Sequence, residues 1–480
     1  PGAGRIENAA LAWIDVRTFN QSIVATSFAG DSGADARVDN AGIFRKSTGG
    51  GYAINVPFLN TSSGLVDVQA GSFVFNAGGS HRGAVALADA TGLTLGGGTH
   101  DVHTGASFSG PGTLTLAGTP TVLNLVAPTT VDSAFAMSGG TIKGADLTLT
   151  GPAAIAISSA LGVMSGPGTT TLKAASGVSG GVNNPFGLDS GRVLRNESTM
   201  TVTGVLDLNR LDATGSGRIV NAAGAVIDVR TFNQSIIARD RSSTNPLDTG
   251  ADARIDNAGI FRKSTPGGYG VSVHFNNTGT VEVLAGRLVF ASFSNAGTVR
   301  VADDASFEIS GQSFVNEGRI EGVGSVFAPA AGLVNAGLIS PGSSPGRLRI
   351  EGDLQMESTS VVEIELGGLS LGDFDVLEIA GAATLGGELS IARLAGYTPA
   401  LGDSFVVMMI EGGRTGEFAV ESFHGFGAGV VFAVTYNDHE VTLGVTAVPE
   451  PATWVMILAG VGLVVGIAQR RRRASGRLPD

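Results

Sequence analysis

The chain has 480 residues and a formal net charge of −12 at pH 7; 43% of its residues are hydrophobic, 15% are charged and 6% are aromatic. Its 73 glycines follow no three-residue period, which excludes collagen, and its charged residues are too few for a disordered chain. The absence of cysteine excludes disulfides, thiolate metal sites and cysteine nucleophiles, and the acidic balance excludes a nucleic-acid partner.

Short alternating runs of Gly, Ala, Thr, Val and Leu predict an all-β fold with many tight turns. The sequence begins at Pro1, and no apolar signal segment precedes the first of these runs. We therefore expect that an N-terminal signal peptide is missing from this sequence.

An internal duplication opens the chain. Residues 5–24 match residues 218–237 at 16 of 20 positions, and residues 34–52 match residues 251–269 at 17 of 19. The segment between the two matched blocks is nine residues long in the first copy and thirteen in the second, which indicates an exposed loop on a rigid scaffold. We assign the two copies to residues 5–75 and 218–290.

A finer repeat lies within the second copy and beyond it. Asn-x-Gly recurs with gaps of 20, 18, 21 and 19 residues, and an alternating run follows each time. The repeated asparagines are Asn257, Asn277, Asn295, Asn316 and Asn335. One turn and one half-buried strand about every twenty residues predict a right-handed parallel β-helix, or solenoid, over residues 1–340, with asparagines that can hydrogen-bond from turn to turn.

The sequence pattern changes at the turn-rich joint Ser-Pro-Gly-Ser-Ser-Pro-Gly, residues 340–346. The region around it, residues 336–420, resembles the C-terminal β-segment of autotransporter-like passengers, and this resemblance implies a rigid, secreted β-solenoid. We predict a C-terminal β cap over residues 341–447, since the last turn of a solenoid would otherwise expose an open strand edge.

The tail, residues 448–480, has its own pattern. Pro449, Glu450 and Pro451 form an extended, accessible segment, because proline cannot enter a strand ladder or a helix interior. An uncharged run follows, and we predict a single transmembrane helix over residues 452–469, with Trp454, Gly462 and Gly466 as its anchor residues. Four arginines end the helix and predict a cytoplasmic C-terminus: Arg470, Arg471, Arg472 and Arg473.

This order of Pro-Glu-Pro, short apolar helix and arginine cluster resembles the PEP-CTERM sorting signal of Gram-negative bacteria. The resemblance implies processing of the chain during export by an exosortase that recognises the tripeptide. It also implies a host that makes exopolysaccharide, as in biofilms. The implied location is the inner membrane, with the body outside the cytoplasm, and the cell surface or medium after processing.

Acidic and histidine residues suggest three candidate metal-binding or catalytic sites. Regularly spaced aspartates could bind Ca²⁺ or simply cap turns: Asp31, Asp35, Asp39, Asp248, Asp252 and Asp256. Asp15 and Asp228 could face a catalytic groove, although pairing with Arg17 or Arg230 explains them more simply. His100, Asp101 and His103 could bind a metal, but no motif supplies a further ligand.

Four aromatic residues could stack on sugars, although their alternation favours core packing: Trp13, Phe44, Phe261 and Tyr269. The leading hypothesis is an exported structural or adhesin-like protein of the cell surface or extracellular matrix, with no catalytic residues, cofactor or metal. Its expected partners are the exosortase, the membrane through its helix, and exopolysaccharide or other surface glycans. The alternative is a polysaccharide-active lyase or hydrolase on the same β-helix.

Overall fold

The computed structural model of the chain describes residues 4–27, 32–311, 314–342, 344–394, 396–448 and 453–474. Within the last range, the side chains of residues 453–458, 460, 473 and 474 are outside the description. The described residues form short β-strands followed by one helix, as the alternating sequence predicts.

The strands of the N-terminal third are β1 Arg5–Asn8, β2 Trp13–Val16, β3 Gln21–Ile23, β4 Arg37–Asn40, β5 Ile43–Lys46, β6 Gly51–Ile54, β7 Phe58–Asn60, β8 Leu65–Val68, β9 Ser72–Phe75, β10 Gly79–His81, β11 Ala84–Leu87, β12 Gly92–Leu95, β13 Thr99–Val102, β14 Ser107–Ser109, β15 Thr113–Leu116, β16 Val122–Leu125, β17 Thr129–Val131 and β18 Ala134–Met137. The middle third continues with β19 Gly140–Gly144, β20 Leu147–Leu149, β21 Ala153–Ile157, β22 Gly162–Met164, β23 Thr169–Leu172, β24 Ser176–Gly180, β25 Phe186–Leu188, β26 Val193–Asn196, β27 Thr199–Val202, β28 Leu206–Asp207, β29 Arg218–Asn221, β30 Val226–Val229, β31 Gln234–Ile237, β32 Arg254–Asn257, β33 Ile260–Lys263, β34 Gly268–Asn277, β35 Thr280–Val283 and β36 Arg287–Asn295. The C-terminal third contains β37 Thr298–Val301, β38 Ser306–Ile309, β39 Phe314–Asn316, β40 Arg319–Gly322, β41 Ser325–Phe327, β42 Leu333–Asn335, β43 Leu338–Pro341, β44 Arg347–Glu351, β45 Leu354–Met356, β46 Val361–Leu366, β47 Val376–Ile379, β48 Ala383–Leu385, β49 Glu388–Arg393, β50 Ser404–Ile410, β51 Arg414–Gly416, β52 Val420–His424, β53 Val431–Asn437, β54 Glu440–Ala447 and the helix α1 Thr453–Ala474.

The strands coil into a parallel β-solenoid with 18 strands stacked on each face, which confirms the predicted fold class. Each turn contributes one strand to each of three faces, and β34 and β36 are long enough to cross from face A to face B. Face A stacks β1, β4, β7, β10, β13, β16, β19, β22, β25, β28, β31, β34, β36, β38, β41, β44, β47 and β50. Face B stacks β2, β5, β8, β11, β14, β17, β20, β23, β26, β29, β32, β34, β36, β39, β42, β45, β48 and β51. Face C stacks β3, β6, β9, β12, β15, β18, β21, β24, β27, β30, β33, β35, β37, β40, β43, β46, β49 and β52.

Hydrophobic side chains fill the interior of the solenoid. In β8, Val66 and Val68 are fully buried whereas Leu65 and Asp67 are not, and most strands repeat this alternation. Successive side chains of a strand point to opposite faces of the sheet, so every second residue enters the core. Each fully buried Val, Leu or Phe contributes about 1.5–3 kcal/mol to the free energy of folding, so a long stack of short strands is stable without disulfides.

A row of buried asparagines runs along the interior of face B. Asn257 donates a hydrogen bond from Nδ2 to Oδ1 of Asn277 at 2.8 Å, and Asn277 donates in the same way to Asn295 at 2.8 Å. The row continues from Asn295 to Asn316 at 2.7 Å and from Asn316 to Asn335 at 2.7 Å. These residues are the five repeated asparagines of the sequence, and they bond from turn to turn as predicted.

Charged side chains of alternating sign run along the outside of face C. Arg262 lies 2.8 Å from a carboxylate oxygen of Glu282, and Arg300 in the next turn lies 3.3 Å from Glu282 and 2.6 Å from Glu321. Exposed ion pairs of this kind are each worth at most about 1 kcal/mol. Their alternation nevertheless favours one register between neighbouring turns, because a slip would separate each arginine from its carboxylate.

The second copy of the duplicated sequence lies one face further round the solenoid than the first. In the first copy, β1, β2 and β3 belong to faces A, B and C, whereas the matching strands β29, β30 and β31 belong to faces B, C and A. Between the copies the chain makes a whole number of turns plus one strand. The same local sequence therefore occupies a different side of the same rod.

Parallel pairing continues through the joint and into the region predicted as a cap. β43 pairs with β46, β46 with β49 and β49 with β52, all parallel. Asp375, which is fully buried, accepts hydrogen bonds from the backbone N–H groups of Gly346 at 2.7 Å and Glu365 at 2.8 Å and so holds the joint. Antiparallel pairing then joins β54 to β50 and to β53 at the C-terminal end.

The helix predicted in the tail is present as α1, Thr453–Ala474. Its described side chains, including those of Arg470, Arg471 and Arg472, are exposed. Among the helices in the described residues, none is both long enough and apolar enough to cross a membrane, so the predicted transmembrane span is not found.

Candidate functional site

The duplicated sequence builds the same corner twice, where two strands of neighbouring turns end together. Corner 1 comprises residues 15–20 and 46–52, between faces B and C. Corner 2 comprises residues 228–234 and 263–269, between faces C and A. The corners are the natural place to look for function, because both copies keep nearly the same side chains there.

A buried lysine closes the turn of each corner. Lys46 and Lys263 end β5 and β33, and both are completely buried. Lys46 Nζ donates hydrogen bonds to the Thr48 carbonyl, to Thr48 Oγ1 at 3.0 Å and to the Gly49 carbonyl at 3.2 Å. Lys263 makes the matching bonds to Thr265 and to the Pro266 carbonyl. Burial lowers the pKa of both lysines, and the nearby carboxylates Asp15 and Asp228 oppose that shift.

An ion pair stands beside each lysine. Asp15 Oδ2 accepts a hydrogen bond from Arg17 Nε at 2.6 Å, and Asp228 Oδ2 accepts one from Arg230 Nε at 2.7 Å. The hydrogen bond from Arg17 lowers the pKa of Asp15. The two carboxylates are held by their neighbouring arginines, which is the simpler of the two interpretations of the sequence.

Each corner also presents an exposed aromatic ring. Phe19 and Phe232 are each 67% exposed, and their rings lie close to Gly50 and Gly267. These glycines have φ angles of 78° and 84°, and a Cβ atom there would approach the ring carbons to 2.4 Å and 2.1 Å. Only glycine provides both the backbone conformation and the space. The corner is therefore a rigid support that holds a phenylalanine ring open to solvent.

The aromatic residues singled out from the sequence lie mostly in the core. Phe44, Phe261 and Tyr269 are at most 1% exposed, so they cannot stack on a sugar. Trp13 is 58% exposed, with the Arg45 guanidinium 6.0 Å from its ring centre. Sequence reasoning missed Phe19 and Phe232. The available signal was the identical Thr-Phe-Asn-Gln run in both copies, which places an aromatic residue in a polar turn rather than in an alternating strand.

The regularly spaced aspartates do not come together. Asp39 and Asp256 face outward and pair with Arg37 at 3.1 Å and Arg254 at 3.2 Å, while Asp248 accepts a hydrogen bond from Asn209 at 2.6 Å. Asp35 and Asp252 are exposed, and the predicted ligand Asp31 lies outside the described residues. Over the residues that the structure covers, no group of three or more carboxylates or imidazoles is placed to hold a metal ion.

Two neighbouring residues of the His-Asp-x-His motif, His100 and Asp101, point to opposite sides of the sheet. His100 lies inside the solenoid, where its Nδ1 is 3.2 Å from Nε2 of His81. Asp101 faces outward and accepts a hydrogen bond from Asn124 at 2.7 Å. The structure therefore joins His100 to a second histidine of the core and not to its neighbours in sequence.

The predicted processing residues Pro449, Glu450 and Pro451 lie outside the described residues, as do the side chains of Trp454 and Arg473. Gly462 and Gly466 lie in α1, and no described heavy atom approaches either to within 4 Å of a Cβ position.

Comparison with known families identifies the tail. Residues 447–473 match the PEP-CTERM protein-sorting motif. This motif is a substrate signal for exosortase processing, and it implies export and sorting to the cell envelope. In a search of curated proteins, no sequence matches this chain.

Proposed function

We propose that this chain is a non-enzymatic structural protein of the cell surface or extracellular matrix, with the solenoid as its displayed body. The observation that carries the proposal is the position of the sorting motif, which begins at residue 447, where β54 ends the folded body. In this proposal the tail holds the chain at the inner membrane, with its arginines on the cytoplasmic side. Exosortase processing then releases the body to the surface or to a surrounding exopolysaccharide.

The construction of the body supports a scaffold rather than a catalyst. Asparagine rows inside and ion pairs outside join many neighbouring turns. The two carboxylates considered as catalytic, Asp15 and Asp228, are paired with arginines. Eighteen strands stacked ~4.8 Å apart on each face give a rod on the order of 80 Å long. Such a rod can make many weak contacts with a polymer, and their combined strength exceeds that of any one contact.

The experiment that tests the proposal is the intact mass and location of the protein in a host with an exosortase and in a matched host without it. We expect the mass to fall by the weight of the tail, and the protein to leave the membrane fraction, only where the exosortase is present. The triple variant Pro449→Ala/Glu450→Gln/Pro451→Ala should remain full length in both hosts. Thr446→Ala, one residue before the motif, is the control and should be processed like the wild type.

Persistence of the full-length wild-type chain in the membrane fraction of both hosts would overturn the sorting proposal. Processing that continues in the triple variant would show that the protease recognises another part of the tail.

A further inference from the structure

Corner 2 forms one end of a surface cavity of about 420 Å³. The cavity follows the edge between faces C and A over four successive turns, where β21, β24, β27 and β30 end. Phe232 and Val182 border it as apolar groups, 67% and 66% exposed. We propose that this cavity, here called the corner groove, binds a segment of a neutral polysaccharide. The inference rests on the proposed surface function and names a site and a ligand class for it.

Polar side chains without charge line the groove. Ser158, Ser179, Thr203 and Thr231 contribute hydroxyl groups, and Gln234 contributes an amide. The side chains around the cavity include no Asp, Glu, Lys or Arg. A charged ligand would lose hydration there without gaining an ion pair, so the lining selects a neutral ligand with many hydroxyl groups.

One hydroxyl in the lining has no partner. Thr231 Oγ1 is buried and makes no hydrogen bond to the described residues. A buried polar atom without a partner costs about 1–3 kcal/mol. Because Thr231 Oγ1 is closed to solvent, a ligand hydroxyl recovers that cost when the threonine side chain turns toward the groove. The same threonine adjoins Phe232, so one hydrogen bond and one ring contact would act on the same part of the ligand.

The floor of the groove is rigid and its backbone is already satisfied. Val205 N–H donates to the Gly180 carbonyl at 2.8 Å, and Thr203 N–H donates to the Val178 carbonyl at 3.0 Å. Below them, the buried Tyr269 hydroxyl donates to the Gly204 carbonyl at 3.3 Å. An extended peptide binds to a sheet through unpaired backbone groups, and these N–H and carbonyl groups of the groove floor are already paired. The groove therefore fits a glycan better than a peptide strand.

The spacing of the lining suits a polymer. The hydroxyl-bearing residues come from successive turns, which are ~4.8 Å apart along the rod, about the length of one sugar unit. A glycan lying along the groove would place one sugar ring on Phe232 and present its hydroxyl groups to the next turns. Aromatic rings bind the apolar face of a ring while polar neighbours fix its orientation.

The test is affinity gel electrophoresis of the purified full-length chain in gels that contain dextran, hydroxyethylcellulose or xylan, with alginate as a charged comparison. We expect at least one neutral polysaccharide to retard the wild type and alginate to have a weaker effect. Phe232→Ala should weaken binding roughly tenfold or more, and Thr231→Val, which keeps the shape and removes the hydroxyl, should weaken it less. The control Phe327→Ala removes another exposed ring, which stacks on Arg287 outside the groove.

Retardation by none of the three neutral polysaccharides, or equal retardation of the wild type and Phe232→Ala, would overturn the corner-groove proposal. Stronger retardation by alginate would also overturn it, since it would indicate a charged site elsewhere. Circular dichroism of each variant reports whether the solenoid is intact. These measurements need no exosortase, so a failure here leaves the processing experiment unaffected, and a failure of processing leaves this result standing.

Discussion

At the scale of single residues, two histidines of the core are held in their neutral form. His81 follows Asn60 in the interior of face A, and it is fully buried next to His100. Burial is the main cause that lowers the pKa of His81 to about 3 and that of His100 to about 4. A histidine in the unfolded chain has a pKa of about 6.5, so the unfolded state binds more protons than the folded state at mildly acidic pH.

This difference predicts a loss of stability as the pH falls from about 6.5 towards 4. Each buried histidine costs about 1.4 kcal/mol of unfolding free energy per pH unit over that range. His81→Asn gives this position the residue that Asn60 supplies in the preceding turn, and it removes one of the two titrating groups. Between pH 6.5 and 4.5 we expect the wild type to lose about 2 kcal/mol more than this variant, measured by urea unfolding.

His274→Asn is the matched control, because His274 lies on the outside of the solenoid beside Ser292 and Asn276. If His81→Asn and the wild type lose stability in parallel as the pH falls, His81 is not kept neutral in the folded protein.

At the scale of the strand and turn, the asparagine rows are the main polar contacts inside the solenoid. Asn295 is 2% exposed; it accepts a hydrogen bond from Asn277 and donates one to Asn316. Asn295→Ala would leave a buried acceptor on Asn316 unsatisfied. We expect a loss of about 1–3 kcal/mol in unfolding free energy, measured from the urea midpoint and slope.

The comparison for Asn295→Ala is Asn124→Ala, which removes an outward-facing hydrogen bond to Asp101 between neighbouring turns. Water can replace that bond, so the expected loss is within about 0.5 kcal/mol. Equal losses in the two variants would show that burial does not strengthen the asparagine row.

These elements show which parts of the fold could be predicted. The Asn-x-Gly spacing predicts both the turn length and the stacked asparagines, because each asparagine ends a strand and bonds to the next turn. The glycine leaves room for the neighbouring turn: a Cβ atom at Gly279 would approach the Gly259 carbonyl oxygen to 2.2 Å. The exposure of Phe232 could not be predicted in this way, since it depends on Gly267, which is distant in sequence and supports the ring from the next turn. The Ser-Pro-Gly joint marks a change of sequence pattern. Glycine and proline occur at corners within a solenoid as well as at domain boundaries, and parallel strand pairing continues through this joint.

At the scale of the whole molecule, the faces on which the two copies lie depend on the number of strands between the copies. No local sequence pattern reveals that number. Each turn has three strands, and the number of strands that separates the two copies is not a multiple of three. The near-identical sequences therefore lie one face apart. Phe19 and Phe232 therefore point away from different corners of the rod. A polymer network surrounds a rod and can contact both corners, whereas a flat surface contacts one, so this arrangement suits the proposed place in a matrix.

The same architecture predicts that one complete turn can be removed. Residues 317–335 contain β40, β41 and β42, and their deletion joins Asn316 to Ala336 in place of the native bond from Asn335. Each turn of a solenoid contacts only its neighbours, and the register Thr298–Arg319–Leu338 lets β43 pair directly with β37. We expect a folded protein with the same circular dichroism per residue and a Tm lowered by a few degrees. Deleting residues 328–335 alone removes β42 and moves every later strand to the wrong face, so this control should lose the fold downstream. Equal damage by the two deletions would mean that stability depends on contacts beyond the neighbouring turns.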